Sequence, residues 1–407
     1  MNVWDAAAVH SGHVGALRDV AWDSQGKMLF SVGEDRTSRV FVPQKKDEKF
    51  IEIARPQVHG HSMQCITVVS SSVIVTGAEE KIFRAFQAPL TFAKSVCNVA
   101  GYGVTELFGD SSLPHYGARV PALGLSNKAI ENVEDATEED DAPHWEEGAF
   151  QASPAELNAP PTEDCLQQNT LWPEVQKLYG HGYEVYAAAT NPSGTVMATS
   201  CKSSQMDDAA IVLWDTSDWS KKSEILGHQL TVTQLEWSPD GTRLLSVGRD
   251  RKAMLHLERN GDLNGFCYEK VWSSNKEHSR IIWSCSWFAD SQHFVTASRD
   301  MQVMLWESDE EGASPVCAYR CAQPATAVAA CGSNDAIIAV GLQDGSVLLL
   351  SKNGDHLDVR ASLFAPAVPV DSAITRIRVN PVKRDELAVA GTDGKLRLLR
   401  LRYGDIS

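Results

Sequence analysis

Three stretches of this chain superimpose without a gap: His228, Trp237, Ser246, Asp250, His256; His278, Trp287, Thr296, Asp300, Trp306; and His13, Trp22, Ser31, Asp35, Phe41. In each, the Trp lies 9 residues after the His, the Asp 22 and the last position 28. A unit reused at fixed spacing cannot bury its apolar face alone and must stack against its neighbours.

Each copy reads as a loop His, a strand, a turn, a second strand, an Asp-containing turn and a third strand. In the second half the first turn is Ser238-Pro-Asp-Gly241, where Pro presets φ and Gly accepts a positive one. Short β runs separated by turns indicate an all-β chain, and a period of roughly 40–50 residues selects a β-propeller over a sandwich or barrel. The polar residues fit that geometry. The loop His packs over the turn Asp, and the Ser or Thr of the middle strand joins that His to the third-strand indole, so every buried polar group has a partner. This is the tetrad of a WD-repeat propeller, with His13, Ser31 and Asp35; His228, Ser246 and Asp250; and His278, Thr296, Asp300 and Trp306 as its members. A hydrolytic Ser-His-Asp triad is the competing reading. A triad is a single constellation, whereas this trio recurs at one spacing.

The chain has 407 residues, 43% of them hydrophobic, enough for one large closed β architecture, and a net charge of −16. That balance argues against a nucleic-acid or anionic-membrane surface as the main partner, because phosphate binding relies on clustered Lys and Arg. No apolar run of membrane-spanning length occurs, and a soluble, intracellular chain is expected, in the cytoplasm and also the nucleus. The nine cysteines include no Cys-x-x-Cys, so structural thiols in a reducing compartment are expected, with no metal and no cofactor.

Eight candidate units can be counted, and seven or eight blades are expected. Residues 1–5 (Asn2-Val3-Trp4-Asp5) read as the remnant strand of an upstream blade, so the chain is expected to be part of a longer protein or a shortened gene product. Residues 6–130 hold the first blades, with Ala6 to Ser11 expected to close the ring as outer strand of the last. A second unit starts at His59 or His61 and carries Glu80 in place of the turn Asp, which predicts a looser corner. A faint third unit contains the strand Val120–Ser126. Residues 131–159 carry nine carboxylates between Glu131 and Glu147 and read as a disordered acidic insertion, solvated or serving as a tether for a basic partner. Residues 160–403 return to the same propeller. The fourth unit runs from His181 to Trp214, with Asp208 six before that Trp, and the last two units keep Asp-Gly turns at Gly345 and Gly394 but lose the His.

Four segments are not needed by a generic propeller: Ile53–Gly60, Val120–Ala129, Leu171–Glu184 within Pro160–Glu184, and His278–Cys285. On these the chain resembles the family of second subunits of the Elongator complex, over nearly its whole length but without that family's N-terminal propeller. The resemblance implies a non-catalytic scaffold with two tandem propellers, in an assembly that modifies the wobble uridine of transfer RNA. It implies as partners a catalytic radical-SAM subunit and a large scaffold subunit, with any contact to transfer RNA indirect or weak. The alternative is a WD-repeat adaptor elsewhere, such as a ubiquitin-ligase substrate receptor or a signalling adaptor. Candidate partner-binding residues are Trp172, Tyr179 and Tyr183, aromatic types favoured at interface hot spots, with core packing as the competing reading. Arg36, Arg249, Arg251, Lys252 and Arg299 share one turn in three units and form a candidate cationic patch for RNA or an acidic segment.

Overall fold

A computed structural model describes residues 12–109, 112–119, 127–129, 154–258, 266–331, 337–363 and 372–401. The expected remnant strand at 1–5, the closing strand at 6–11, the strand at 120–126 and the acidic stretch at 131–153 lie outside them.

Alternating patterns fold into antiparallel sheets whose inner faces are almost wholly buried; the middle strands Leu29–Gly33 and Val196–Cys201 are buried at every position. The described strands make seven blades, six of four strands and one of three, and a separate two-stranded ribbon. The inner strands are Leu17–Trp22, Met63–Ser70, Val185–Thr190, Val232–Trp237, Ile282–Trp287, Ala325–Cys331 and Ile374–Val379. Each packs on the next and the last packs on the first, so the ring is closed. Closure packs every sheet face against a neighbouring blade and leaves only the short edges of the outer strands.

Seven blades replace the eight candidate units for a topological reason. The outer strand of the second blade is Glu174–Tyr179, which pairs with the third strand Ile82–Gln87 although some 86 residues separate them. The described parts of the intervening stretch form a docked insertion, with helix α1 (Leu90–Ala100), helix α2 (Val104–Phe108), the ribbon of Ala118–Arg119 with Lys128–Ala129, and helix α3 (Glu163–Gln168). In α1, Phe92, Ala93, Val96, Val99 and Ala100 recur at the spacing of one helical face and are buried. The helix stops at Gly101, whose φ of 81° allows its N–H to return to the Cys97 carbonyl. That face, with Leu107 and Phe108 of α2, shares one apolar cluster with Val40, Val42, Ile51 and Ile53 of blade one.

Polar clasps fix the insertion. Asn127, buried, donates from Nδ2 to the carbonyls of Pro56 (2.6 Å) and Trp172 (2.8 Å). The buried Arg55 guanidinium reaches Glu52 on its own strand (2.7 Å) and Glu163 of α3 (2.6 Å). Three of the four segments unexplained by a generic propeller therefore meet at one joint. Trp172 belongs to that joint and is corrected as a partner-binding candidate: it is fully buried, edge-on against Phe92 (4.8 Å between centroids) and Phe30 (6.1 Å).

Ring closure is also made at the axis. Arg376 of blade seven bonds Asp19 of blade one through Nε (2.9 Å) and reaches Gln234 of blade four, while Arg378 reaches Glu236 of blade four (2.8 Å). Two arginines of the last blade thus cross the channel as struts to the far side of the ring. Beside them Trp22 Nε1 donates to the Arg378 carbonyl and Asn380 Nδ2 to the Gly26 carbonyl, joining blades one and seven.

Candidate functional site

The three repeated trios come together as their spacing predicts. His13 Nδ1 donates to Asp35 (2.8 Å), and the Ser31 hydroxyl meets Nε2 (2.7 Å). His278 Nδ1 donates to Asp300 (3.1 Å), the Thr296 hydroxyl donates to Nε2 (2.8 Å), and the Trp306 indole N–H donates to that hydroxyl oxygen (2.9 Å). His228 does the same with Asp250 (2.9 Å) and Ser246 (2.8 Å), but there His256 replaces the indole, its Nε2 lying 2.8 Å from Ser246. With the Ser246 proton committed to His228, His256 donates from Nε2, and its buried Nδ1 is left without a partner. Gly248 makes the space, since a Cβ there would stand 2.9 Å from the Asp250 carboxylate and 3.0 Å from His228 Nδ1. Every hydroxyl is fully buried and bonded to its His, so none is presented to a substrate, and the trios act as structural cross-links.

Two other blades vary the scheme. In blade three the Thr199 hydroxyl links His181 (2.8 Å) to Trp214 (2.8 Å), and Asp208 makes no bond to the His. In blade two it is His59, not His61, that faces Glu80, with Nε2 3.1 Å from the carboxylate. That corner is not loose: Glu80 also takes Arg84 Nε at 2.7 Å, and the longer side chain spans the gap. The Trp found 9 residues after each His serves elsewhere. Trp237 and Trp287 donate their indole N–H to the carbonyls of Ala189 and Glu236, each in the preceding blade, as Trp22 does across the closure.

The tetrad face carries the candidate contact residues. At the end of each middle strand one residue donates its N–H to a carbonyl at the entrance to the same blade's inner strand: Glu34, Glu79, Lys202, Arg249, Arg299, Gln343 and Thr392. Around the ring their charges run negative, negative, positive, positive, positive, neutral, neutral. Arg36 and Arg251 sit at the left-handed position of the adjoining turn (φ 67° and 70°), where the sixth and seventh blades have Gly345 and Gly394. Lys252 follows Arg251, half-buried, on blade four. Arg249, Arg251 and Arg299 are exposed, and Arg280, which the repeat alignment does not single out, joins them beside the entrance to the fifth inner strand. None of these four has a carboxylate within ion-pair distance among the described residues. Arg36 lies apart, on blade one. Tyr179 (69% exposed) and Tyr183 (48%) stand on blade two's outer strand and the crossover to blade three, with Lys81 over the Tyr183 ring.

Among the described residues no group of three or more His, Cys, Asp or Glu could hold a metal, and no helix is long and apolar enough to cross a membrane. Burial pushes the Cys321 and Cys331 thiols up to about 12 and raises Cys65, Cys201 and Cys285, so these five behave as apolar packing groups.

The WD domain, G-beta repeat family matches residues 4–41, 172–215, 219–256 and 270–307. The chain is 41% identical to Elongator complex protein 2 of Homo sapiens over 379 residues, covering 85% of this chain and 45% of that protein. It is 36% identical to Elongator complex protein 2 of Schizosaccharomyces pombe over 408 residues, covering 97% of this chain and 52% of that protein. Over nearly its whole length the chain is similar to Elongator complex protein 2. It spans about half the length of the curated relatives it matches. The WD40 β-propeller domain of Doa1 superposes with a TM-score of 0.60 at 13% identity, covering 98% of this chain and 97% of that one, and shares the fold alone.

Proposed function

We propose that this chain is a non-catalytic WD-repeat scaffold of the Elongator complex, supporting wobble-uridine modification of transfer RNA by holding the catalytic radical-SAM subunit and the large scaffold subunit. The observation that carries the reading is its likeness to Elongator complex protein 2, which runs through nearly the whole propeller and not only its repeats. The closed ring supports it, because the repeated Ser-His-Asp trios are used up internally and leave surface, not chemistry, as the working part. Tyr179 and Tyr183 offer rigid aromatic area for a protein contact, and Arg249, Arg251 and Arg299 suit an acidic segment of a partner or a weak, indirect approach to transfer RNA. The reading places the chain in the cytoplasm and also the nucleus.

The test is affinity co-purification of the full chain with the catalytic and large scaffold subunits. Retention of either supports the scaffold. Retention of neither by a folded chain contradicts it and favours an adaptor of another assembly.

A further inference from the structure

On the face opposite the tetrads, where the inner strands end, the channel opens into a mouth of about 680 Å³ walled by blades one, two, three, four and seven and by α2. The Arg378–Glu236 strut crosses the channel here, with both residues in the wall of the mouth. Its walls mix apolar surface (Trp22, Trp237 and Phe108) with hydroxyls (Ser70, Ser193). Blade seven contributes two guanidinium groups. Arg378 spends one Nη on Glu236 while its side chain stays 25% exposed, and Arg384, half-buried at the rim, has no ion pair among the described residues. The lining carboxylates are already committed: Asp23 accepts the backbone N–H groups of Gln25, Lys27 and Met28 and the Ser71 hydroxyl, and Glu236 accepts from Arg378, Ser286 and Trp287. Of the two blade-seven cations, Arg378 keeps part of its guanidinium unspent beside Glu236, and Arg384 has no carboxylate partner among the described residues.

We propose that this mouth binds a carboxylate side chain presented between apolar residues on a peptide loop. The carboxylate bridges Arg384 and Arg378, and the flanking apolar side chains lie against Trp22, Trp237 and Phe108. A guanidinium–carboxylate contact in a concave site with low-dielectric walls is directional and stronger than the same pair on an open surface. The opening suits a loop and not a helix, since inner-strand ends and α2 enclose it on most sides.

The probe is the capped pentapeptide Ala-Leu-Glu-Leu-Ala, with its Gln counterpart as control, titrated into the full chain while the indole N–H resonances of Trp22 and Trp237 are followed. The Glu peptide is expected to shift both resonances and to bind at least tenfold more tightly than the Gln peptide. Arg384→Glu, a rim substitution checked for an unchanged melting temperature, is expected to abolish the shift. Equal binding of both peptides, unchanged binding by Arg384→Glu, or no shift at millimolar peptide overturns the proposal. So does the same shift with inorganic phosphate alone, which would make the mouth a simple anion site.

Discussion

His256 shows how one residue changes the chemistry of a repeated site. A Trp at that place donates its one N–H and asks for nothing, whereas His256 leaves a buried acceptor unmet. Burial, with the neighbouring Lys270 charge, pulls His256 down to about 3, and burial pulls His181 down to about 4, from 6.5. Both stay neutral in the fold but take a proton in the unfolded chain below pH 6.5, so stability falls as pH drops through that value toward 3. His256 alone is expected to cost about 1 kcal/mol between pH 7 and 5.5, measured as the shift in urea midpoint, and His256→Gln should remove that share. The tetrad acids act lower on the scale. Burial alone would raise Asp300, but the bond to His278 and the backbone N–H groups of Ser279 and Gln302 outweigh it and hold the carboxyl at about 2. Its contribution is present above 3.8 and is lost as pH falls toward 2. Ser246→Ala strands His228 Nε2 and His256 Nε2 together, and is expected to cost about 2–4 kcal/mol in denaturant unfolding. These trios were legible in the sequence because the spacing of His, Ser or Thr, and Asp is fixed by geometry within one blade. The Trp 9 residues on was legible as a repeat but not in its role, since its acceptor belongs to the preceding blade.

At the level of elements, Glu174–Tyr179 completes a blade whose third strand, Ile82–Gln87, lies 86 residues back along the chain, and no local pattern announces that pairing. Counting strands along the chain therefore gives one unit too many. Likewise Trp172 and Tyr179 are only seven positions apart, and residue type does not tell which faces the core; the insertion covers the first and leaves the second bare. Arg280 is not marked by the repeat for the opposite reason, that Gly15 and Leu230 stand at its position in the other strong repeats. Asn127 is the keystone of the joint because it satisfies two carbonyls from different segments. Asn127→Ala is expected to loosen the insertion while the ring stays closed. Limited proteolysis should then cut within residues 88–173 several times faster, with the melting temperature little changed. Equal cleavage rates would show that the apolar face of α1 alone holds the insertion.

For the molecule as a whole, the axial struts make blade seven depend on blades one and four together. Removing one partner of a buried ion pair leaves the other charged and unsatisfied, which costs about 3–5 kcal/mol. Asp19 is buried to 2% exposure, so Arg376→Ala is expected to lower the melting temperature sharply, and more than Arg378→Ala, whose partner Glu236 is partly solvated. The struts hold the blades at fixed spacing, which is what the proposed scaffold role asks of the ring. The most direct measurement compares melting temperature with yield of co-purified catalytic and large scaffold subunits for two variants. One is Asp300→Asn, in the tetrad, and the other is Tyr179→Ala with Tyr183→Ala, on the surface. A scaffold predicts that the first loses partners only in proportion to lost stability, while the second loses at least tenfold in yield at an unchanged melting temperature. Full partner yield from the surface variant, or loss by Asp300→Asn in a chain that melts like the parent, would contradict it.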